Sequence, residues 1–192
     1  MENHNLWVGE RIRLRAAEPG DAGDFFKWSA DYDTESDRCC DVVHFPRSFG
    51  AMTAHVEALS KQKPENDGFF WIMENEKGES AGCINTFGCD RRVGAFSYGL
   101  GVRREFWGRG YAKEAVRLVL RYYFQELNYQ KATVRVYSFN ARSLGLHRAL
   151  GFTQEGVLRR TAFTAGRLYD EVVFGMTREE FDARFGAEPE PQ

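Results

Sequence analysis

Gly108 and Gly110 are the residues of this chain best placed to hold a phosphate group. They sit in Trp107-Gly108-Arg109-Gly110-Tyr111-Ala112, between an alternating stretch and an amphipathic one. The first turn of a helix leaves backbone N–H groups without intrahelical acceptors, and the aligned peptide dipoles add positive character there. Phosphate oxygens satisfy both. Glycines at this point remove the side chains that would keep an anion from the main chain, and they adopt backbone angles that other residues avoid.

Such a cradle needs a strand before it and a helix after it. Phe96 to Val102 alternates bulky and small residues, as a partly buried strand does. Ala112, Ala115, Val116, Val119, Leu120, Tyr123, Phe124 and Leu127 repeat at the spacing of one helical face. Several phosphate binders share this strand, loop and helix. A P-loop would require Lys and Ser or Thr after a second glycine, and the chain has no such string. A dinucleotide fingerprint would require a third glycine near position 113, which is Lys113. The segment instead resembles the acetyl-CoA loop of the GNAT family of N-acetyltransferases, Gln/Arg-x-x-Gly-x-Gly/Ala, read here as Trp107-x-x-Gly110-x-Ala112. Trp107 departs from the leading Gln or Arg. The RimJ/RimL-like branch shares that departure, with loops that run aromatic-Trp-Gly-Lys-Gly-Tyr-Ala before a Glu-Ala pair. Phe106 to Ala112 and Glu114-Ala115 match that run. The resemblance implies that Trp107, Gly108, Arg109, Gly110, Tyr111, Ala112 and Lys113 bind the cofactor.

A second segment follows 30 residues after Gly110. A β-branched and aromatic strand from Lys131 to Tyr137 leads to Asn140, a good helix N-cap, and Ala141 to Leu150 reads as a short helix. Gly151-Phe152 reads as its left-handed stop with an apolar contact. This run is similar to the second cofactor segment of GNAT enzymes, whose residues at the Asn140 and Ser143 positions touch the pantetheine or nucleotide part of CoA. Taken alone, Asn140 is equally a cap and Ser143 equally a solvated hydroxyl.

The chemistry that the resemblance implies is acetyl transfer to an amine. The amine must be neutral to attack, yet a lysine-type amine has a pKa of about 10.4 and an α-amine one of about 8. Proton removal therefore needs help, the tetrahedral oxyanion needs a donor, and the departing thiolate gains from an acid. In the family, the strand before the loop and the strand Lys131 to Tyr137 splay apart around acetyl-CoA. A main-chain N–H between Leu100 and Val102 would polarise the thioester. Gly99 and Gly101 suit close backbone approach there, or else they relieve crowding under a neighbouring aromatic. His147, four residues before Gly151, stands where many relatives carry the tyrosine that protonates the leaving sulfur; as a helix histidine it also reads as a packed or capping residue. Ser97 occupies the place of a frequent glutamate base. Ser97 or Tyr98 holding a water, or Tyr137, could take that role.

The resemblance runs from about Leu6 to Phe181. Arg11 to Arg15 reads as a first strand, Pro19-Gly20-Asp21 as a turn and cap, and Phe69 to Glu74 and Ala81 to Cys89 as strands joined at Asn75-Glu76-Lys77-Gly78. Thr153 to Phe163 and Leu168 to Met176 form a last hairpin turning at Ala165-Gly166, and Arg167-Leu168-Tyr169-Asp170-Glu171 is similar to a stretch frequent in the branch. The fold implied is α/β, with α and β mixed: a central mixed sheet of about six or seven strands, splayed at the cofactor site and flanked by about four helices. Residues 6–181 are expected to form one domain, and 182–192 an acidic, Pro-containing tail.

With 192 residues, of which 43% are hydrophobic, the chain can bury one substantial core. Its net charge of −2, with signs interspersed, gives no argument for nucleic acid or membrane. No apolar run approaches a membrane span and no signal peptide is seen, so a cytoplasmic protein is expected. The four cysteines, Cys39, Cys40, Cys83 and Cys89, lack the paired spacing of a zinc site and read as inert thiols; no metal is expected. Asp31, Asp33, Glu35, Asp37 and Asp41 suit a cationic acceptor or a solvated loop. Trp28, Tyr32, Phe45 and Phe49 suit an acceptor pocket or the core. The partners expected are acetyl-CoA and an amine, either a protein N-terminus or a small amine such as a polyamine or antibiotic, and the chain could pair as a homodimer. A CoA-binding module without catalysis and an interaction domain that keeps only the fold are the other readings.

Overall fold

The computed structural model describes residues 5–30 and 46–186. The acidic run from Asp31 to Asp41, together with Tyr32, Phe45, Cys39 and Cys40, lies outside the described residues, as do 187–192. Among the described residues, seven strands hydrogen-bond in the order β1-β2-β3-β4-β5-β7-β6. They are β1 (Ile12–Ala16), β2 (Phe70–Asn75), β3 (Ser80–Asp90), β4 (Ala95–Val102), β5 (Lys131–Tyr137), β6 (Thr153–Thr164) and β7 (Arg167–Thr177). The described α-helices are α1 (Ala22–Ala30), α2 (Phe49–Ser60), α3 (Tyr111–Arg121), α4 (Ala141–Leu150) and α5 (Arg178–Phe185). The chain divides into two compact units, 1–86 with 99–118 and 87–98 with 119–192.

In the first unit, β1 and β2 run antiparallel from Ile12↔Asn75 to Ala16↔Trp71. Ile12 and Leu14 point into the core, so Arg13 and Arg15, which alternate with them, lie on the other face. Arg13 and Arg15 converge there on the Glu74 carboxylate, and Arg15 also holds Asp21 at 2.7 Å. Asp21 in turn accepts the Glu18 N–H at 2.8 Å and fixes the turn into α1. At the expected Asn75–Gly78 turn, the Asn75 Oδ1 accepts the amides of Lys77 and Glu79. Gly82 of β3 is a close-approach glycine: a Cβ there would lie 2.2 Å from the Gly101 carbonyl oxygen. Gly101 lies under an aromatic, since its own Cβ would meet the Trp28 ring at 3.1 Å.

In the second unit, β5 pairs antiparallel with β7 along its whole length, and β7 pairs with β6. The parallel pairing of β4 with β5 consists of Ala95↔Lys131 and Phe96↔Ala132. The helical periodicity that ran to Leu127 is interrupted: α3 stops at Arg121 and Tyr122–Glu126 forms a π-turn, closed by Leu127 N–H donating to the Tyr122 carbonyl at 3.1 Å. The wider turn lets the consecutive Tyr123 and Phe124 both pack on Phe96, at ring separations of 4.2 and 5.9 Å. The last helix, α5, runs into the segment expected to be a tail. A capping box of Thr177 and Glu180 starts it, and buried Phe181 fastens it.

Candidate cofactor loop and the second segment

The candidate phosphate loop is held from both ends by side chains. β4 leads into a short 3-10 turn, Arg104–Phe106, whose Phe106 is buried. Trp107 then donates its indole N–H to the Val102 carbonyl at 2.8 Å, which closes the turn at the end of β4. Trp107 thus latches the loop to the strand. Arg109, between the two glycines, lays its guanidinium over the Phe106 ring at 5.2 Å and reaches the Glu105 carbonyl. Tyr111 is buried against the same Phe106, while Lys113 is exposed and Ala112 half-buried.

Gly108 and Gly110 both adopt left-handed backbone angles, with φ of 76° and 83°. Alternation of this kind turns successive N–H groups toward one concavity. The Glu114 amide donates to the Gly110 carbonyl and begins the helical ladder. Among the described residues, no group accepts from the main-chain N–H of Gly108, Arg109, Gly110, Tyr111, Ala112 or Lys113. These six successive donors, without a described acceptor, lie next to the positive end of α3.

Two residues that the sequence did not single out steady this cradle. Glu114, noted only as part of a motif match, accepts the Arg11 amide at 2.9 Å and the Ile12 amide at 3.4 Å, and so ties α3 to the start of β1. Gly9 makes room for it, since a Cβ there would fall 1.9 Å from the Glu114 Oε1. Arg11 donates from Nη1 to the Arg109 carbonyl at 3.2 Å, and a Cβ on Gly110 would lie 2.6 Å from that same nitrogen. The guanidinium thus occupies the space that the missing side chain leaves.

The second segment lies in the other unit. Asn140 caps α4 by accepting the Ser143 amide at 3.0 Å. Gly151, at φ 89°, ends the helix as expected: its amide donates to Arg148 and that of Phe152 to His147, both at 3.0 Å. His147 is 3% exposed and surrounded by rings, with Phe174 at 5.7 Å, Tyr98 at 5.9 Å and Phe152 at 5.2 Å. Its Nδ1 lies 2.8 Å from the Ser143 carbonyl oxygen. A carbonyl only accepts, so Nδ1 carries the proton and Nε2 holds a lone pair. Burial lowers the His147 pKa below its usual 6.5, against a smaller opposing effect of that hydrogen bond. Nε2 and the Tyr98 hydroxyl are both buried without a hydrogen-bond partner among the described residues. Ser97, next to Tyr98 on β4, is half-buried. Tyr137 stacks on Phe139 at 5.3 Å. Leu100 and Val102, at the end of β4, are half-buried in the first unit.

Among the described residues there is no cluster of three or more potential metal ligands, and no helix is long and apolar enough to cross a membrane. Cys83 and Cys89 are half-buried and form no disulfide with a described residue.

A family model for the acetyltransferase (GNAT) domain matches residues 11–153. The SPbeta prophage-derived uncharacterized N-acetyltransferase YokL of Bacillus subtilis is 44% identical over 180 residues, covering 94% of this chain and 97% of that protein. The uncharacterized N-acetyltransferase p20 of Bacillus licheniformis is 30% identical over 90% of this chain and 96% of its own. Among solved structures, the spermidine N-acetyltransferase of Vibrio cholerae in complex with CoA and spermine superposes with a TM-score of 0.76 at 20% identity, covering 90% of this chain and 99% of that one. A GNAT-family acetyltransferase from Bacillus anthracis gives 0.74 at 18%, covering 90% and 98%, so these two share the fold. A loop built of glycines and of amides without a described acceptor, followed by a capped second helix, is thus carried on a chain that belongs to the GNAT superfamily of acetyl-CoA-dependent N-acetyltransferases, in its RimJ/RimL-like family.

Proposed function

We propose that the loop from Trp107 to Lys113 grips the diphosphate of acetyl-CoA and that the acetyl group passes directly to a primary amine in a ternary complex, with no covalent enzyme intermediate. The observation that carries this reading is the run of six amides, Gly108 to Lys113, that no described protein group accepts from. The acceptor is a small amine or a protein N-terminus. Acetyl-CoA supplies an activated acyl group with a thiolate leaving group; the protein has to orient it, stabilise an oxyanion and move a proton.

Trp107 contributes by position, because its indole N–H is engaged on Val102. Main-chain N–H groups at the end of β4, between Leu100 and Val102, are our candidates for polarising the thioester. Asn140 and Ser143 would meet the pantetheine or nucleotide portion through side-chain atoms that are half-buried. For proton transfer, His147, Ser97 and Tyr137 remain the candidates. The His147 tautomer favours acceptance over donation: with Nδ1–H engaged and the ring neutral near pH 7, Nε2 can take a proton but has none to give. A role as acid toward the sulfur would need the imidazolium, which burial disfavours.

Calorimetric titration with acetyl-CoA tests the loop, with a single binding site expected. Release of free CoA thiol over a panel of amines and N-terminal peptides tests the transfer. Absence of binding heat from folded protein would remove the reading.

A further inference from the structure

One face of β5 and β7 carries a set of side chains that the cofactor loop does not explain. Tyr137 and Glu171 are cross-strand partners and so stand side by side on one face of the sheet. Tyr169 precedes Glu171 by two residues within β7, which puts it on that face, while Phe139 lies in the turn after β5 and is placed there by its contacts with the Tyr137 and Tyr169 rings. The rings are gathered there: Tyr137 and Phe139 stack at 5.3 Å and 15°, and Tyr169 meets Phe139 edge-on at 4.8 Å. All four residues are half-buried. On the opposite face, the neighbouring pair Val136 and Val172 is buried in the core.

Glu171 is the unusual member. It forms no ion pair or hydrogen bond with any described residue, Arg135 on the same face included. A half-buried carboxylate beside three aromatic rings is short of a positive charge. The neighbouring backbone is also shaped. β6 loses register between Leu158 and Ala162, and Arg160 there takes a left-handed φ of 58°. Asp170 fixes that irregularity by accepting the Arg160 amide at 2.8 Å on its side chain, and the Ser138 amide at 2.9 Å on its carbonyl. Bulges of this type re-aim side chains and recur beside functional sites.

We propose that Tyr137, Phe139, Tyr169 and Glu171 form the amine-acceptor subsite and that it binds a cationic centre of the acceptor other than the reacting nitrogen. The inference rests on the acetyltransferase reading above. Aromatic faces attract a cation through the ring quadrupole, and Glu171 supplies the countercharge. The reacting amine must be neutral when it attacks, so a charge recognised throughout the reaction has to sit elsewhere on the molecule. The preferred acceptor is therefore an amine with a second, permanently cationic group.

The test uses full-length protein saturated with CoA and the probe (4-aminobutyl)trimethylammonium, with n-butylamine as the singly charged control, titrated calorimetrically. Wild type is expected to bind the probe at least tenfold more tightly than n-butylamine. Glu171→Gln and Tyr169→Leu are expected to abolish that preference while keeping acetyl-CoA affinity and the circular dichroism spectrum, and Glu171→Asp to restore part of it. No preference in wild type, or an equal preference in Glu171→Gln, overturns the subsite. Failure of acetyl-CoA itself to bind would instead overturn the cofactor loop, so the two readings fail separately.

Discussion

The chain makes two strand-to-helix turns that look alike in outline, one into α3 and one into α4, and it finishes them in opposite ways. At α4, Asn140 folds its side chain back onto the Ser143 amide, and the Ser143 carbonyl receives the His147 Nδ1–H. That helix satisfies itself. At α3 the equivalent place is held by Gly110, which has no side chain to fold back, and the amides through Lys113 meet no described acceptor. The other capped helices follow α4: Ser48 accepts from Ala51 and Thr177 from Glu180. A side-chain cap stabilises a helix by about 1 kcal/mol. On the reading proposed above, an N-terminus that forgoes it, and is braced by Trp107, Arg11 and Glu114, awaits the diphosphate as its acceptor.

The largest effect should come from filling the empty cap. Gly110→Asp places a carboxylate beside the proposed diphosphate and a Cβ against the Arg11 guanidinium. We expect acetyl-CoA affinity to fall more than about a hundredfold, or ~2.7 kcal/mol, with the circular dichroism spectrum preserved. Gly108→Ala is the control: it shares the left-handed strain but has nothing within 4 Å of the added carbon, so its loss should be much smaller. Equal losses in the two variants would assign the effect to backbone strain and end the contrast with α4.

Arg11 comes next. Arg11→Ala removes the donor to the Arg109 carbonyl and leaves the Glu114 tether to the backbone intact. Because it acts through the loop, it should raise the acetyl-CoA KM about tenfold, ~1.4 kcal/mol, with kcat unchanged. Arg11→Lys should recover part of the loss. Gly110→Ala on the Arg11→Ala background should cost less than in wild type, because the nitrogen its Cβ would strike is gone. Strict additivity of the two would separate Arg11 from the glycine.

How much of this was legible in the sequence depends on how far apart the interacting residues are. β5 and α4 have the expected bounds, Lys131–Tyr137 and Ala141–Leu150, because Asn140 and Gly151 mark their limits by local chemistry. The loop was visible because glycine spacing is itself local. The π-turn was not, since a period of 3.6 residues gives no sign of one wider turn when Tyr123 and Phe124 are both apolar. The braces were also hidden: Arg11 meets Arg109 across 98 positions and Glu114 meets Arg11 across 103, and neither pairing leaves a pattern in the chain. In the sequence Trp107 is a departure from a motif, while in the fold its indole hydrogen bond is what joins the loop to β4.

The smallest effect concerns the self-satisfied helix. The folded protein holds His147 neutral, with its pKa below 6.5, while the unfolded chain titrates near 6.5. As the pH falls below 6.5 the unfolded state takes up the proton first, so stability should drop, and it should be fully present above that value. The contribution is at most about 1 kcal/mol between pH 6.5 and 5.5. Urea midpoints measured across pH 5 to 8 should therefore slope downward on the acid side in wild type, and less steeply in His147→Asn, whose amide can still donate to the Ser143 carbonyl. The comparison uses slopes, so a uniform loss of stability in the variant does not obscure it. Identical slopes would mean that His147 titrates equally in both states, which its enclosure by Phe174, Tyr98 and Phe152 argues against, and would reopen α4 as a helix with a proton to exchange near neutral pH.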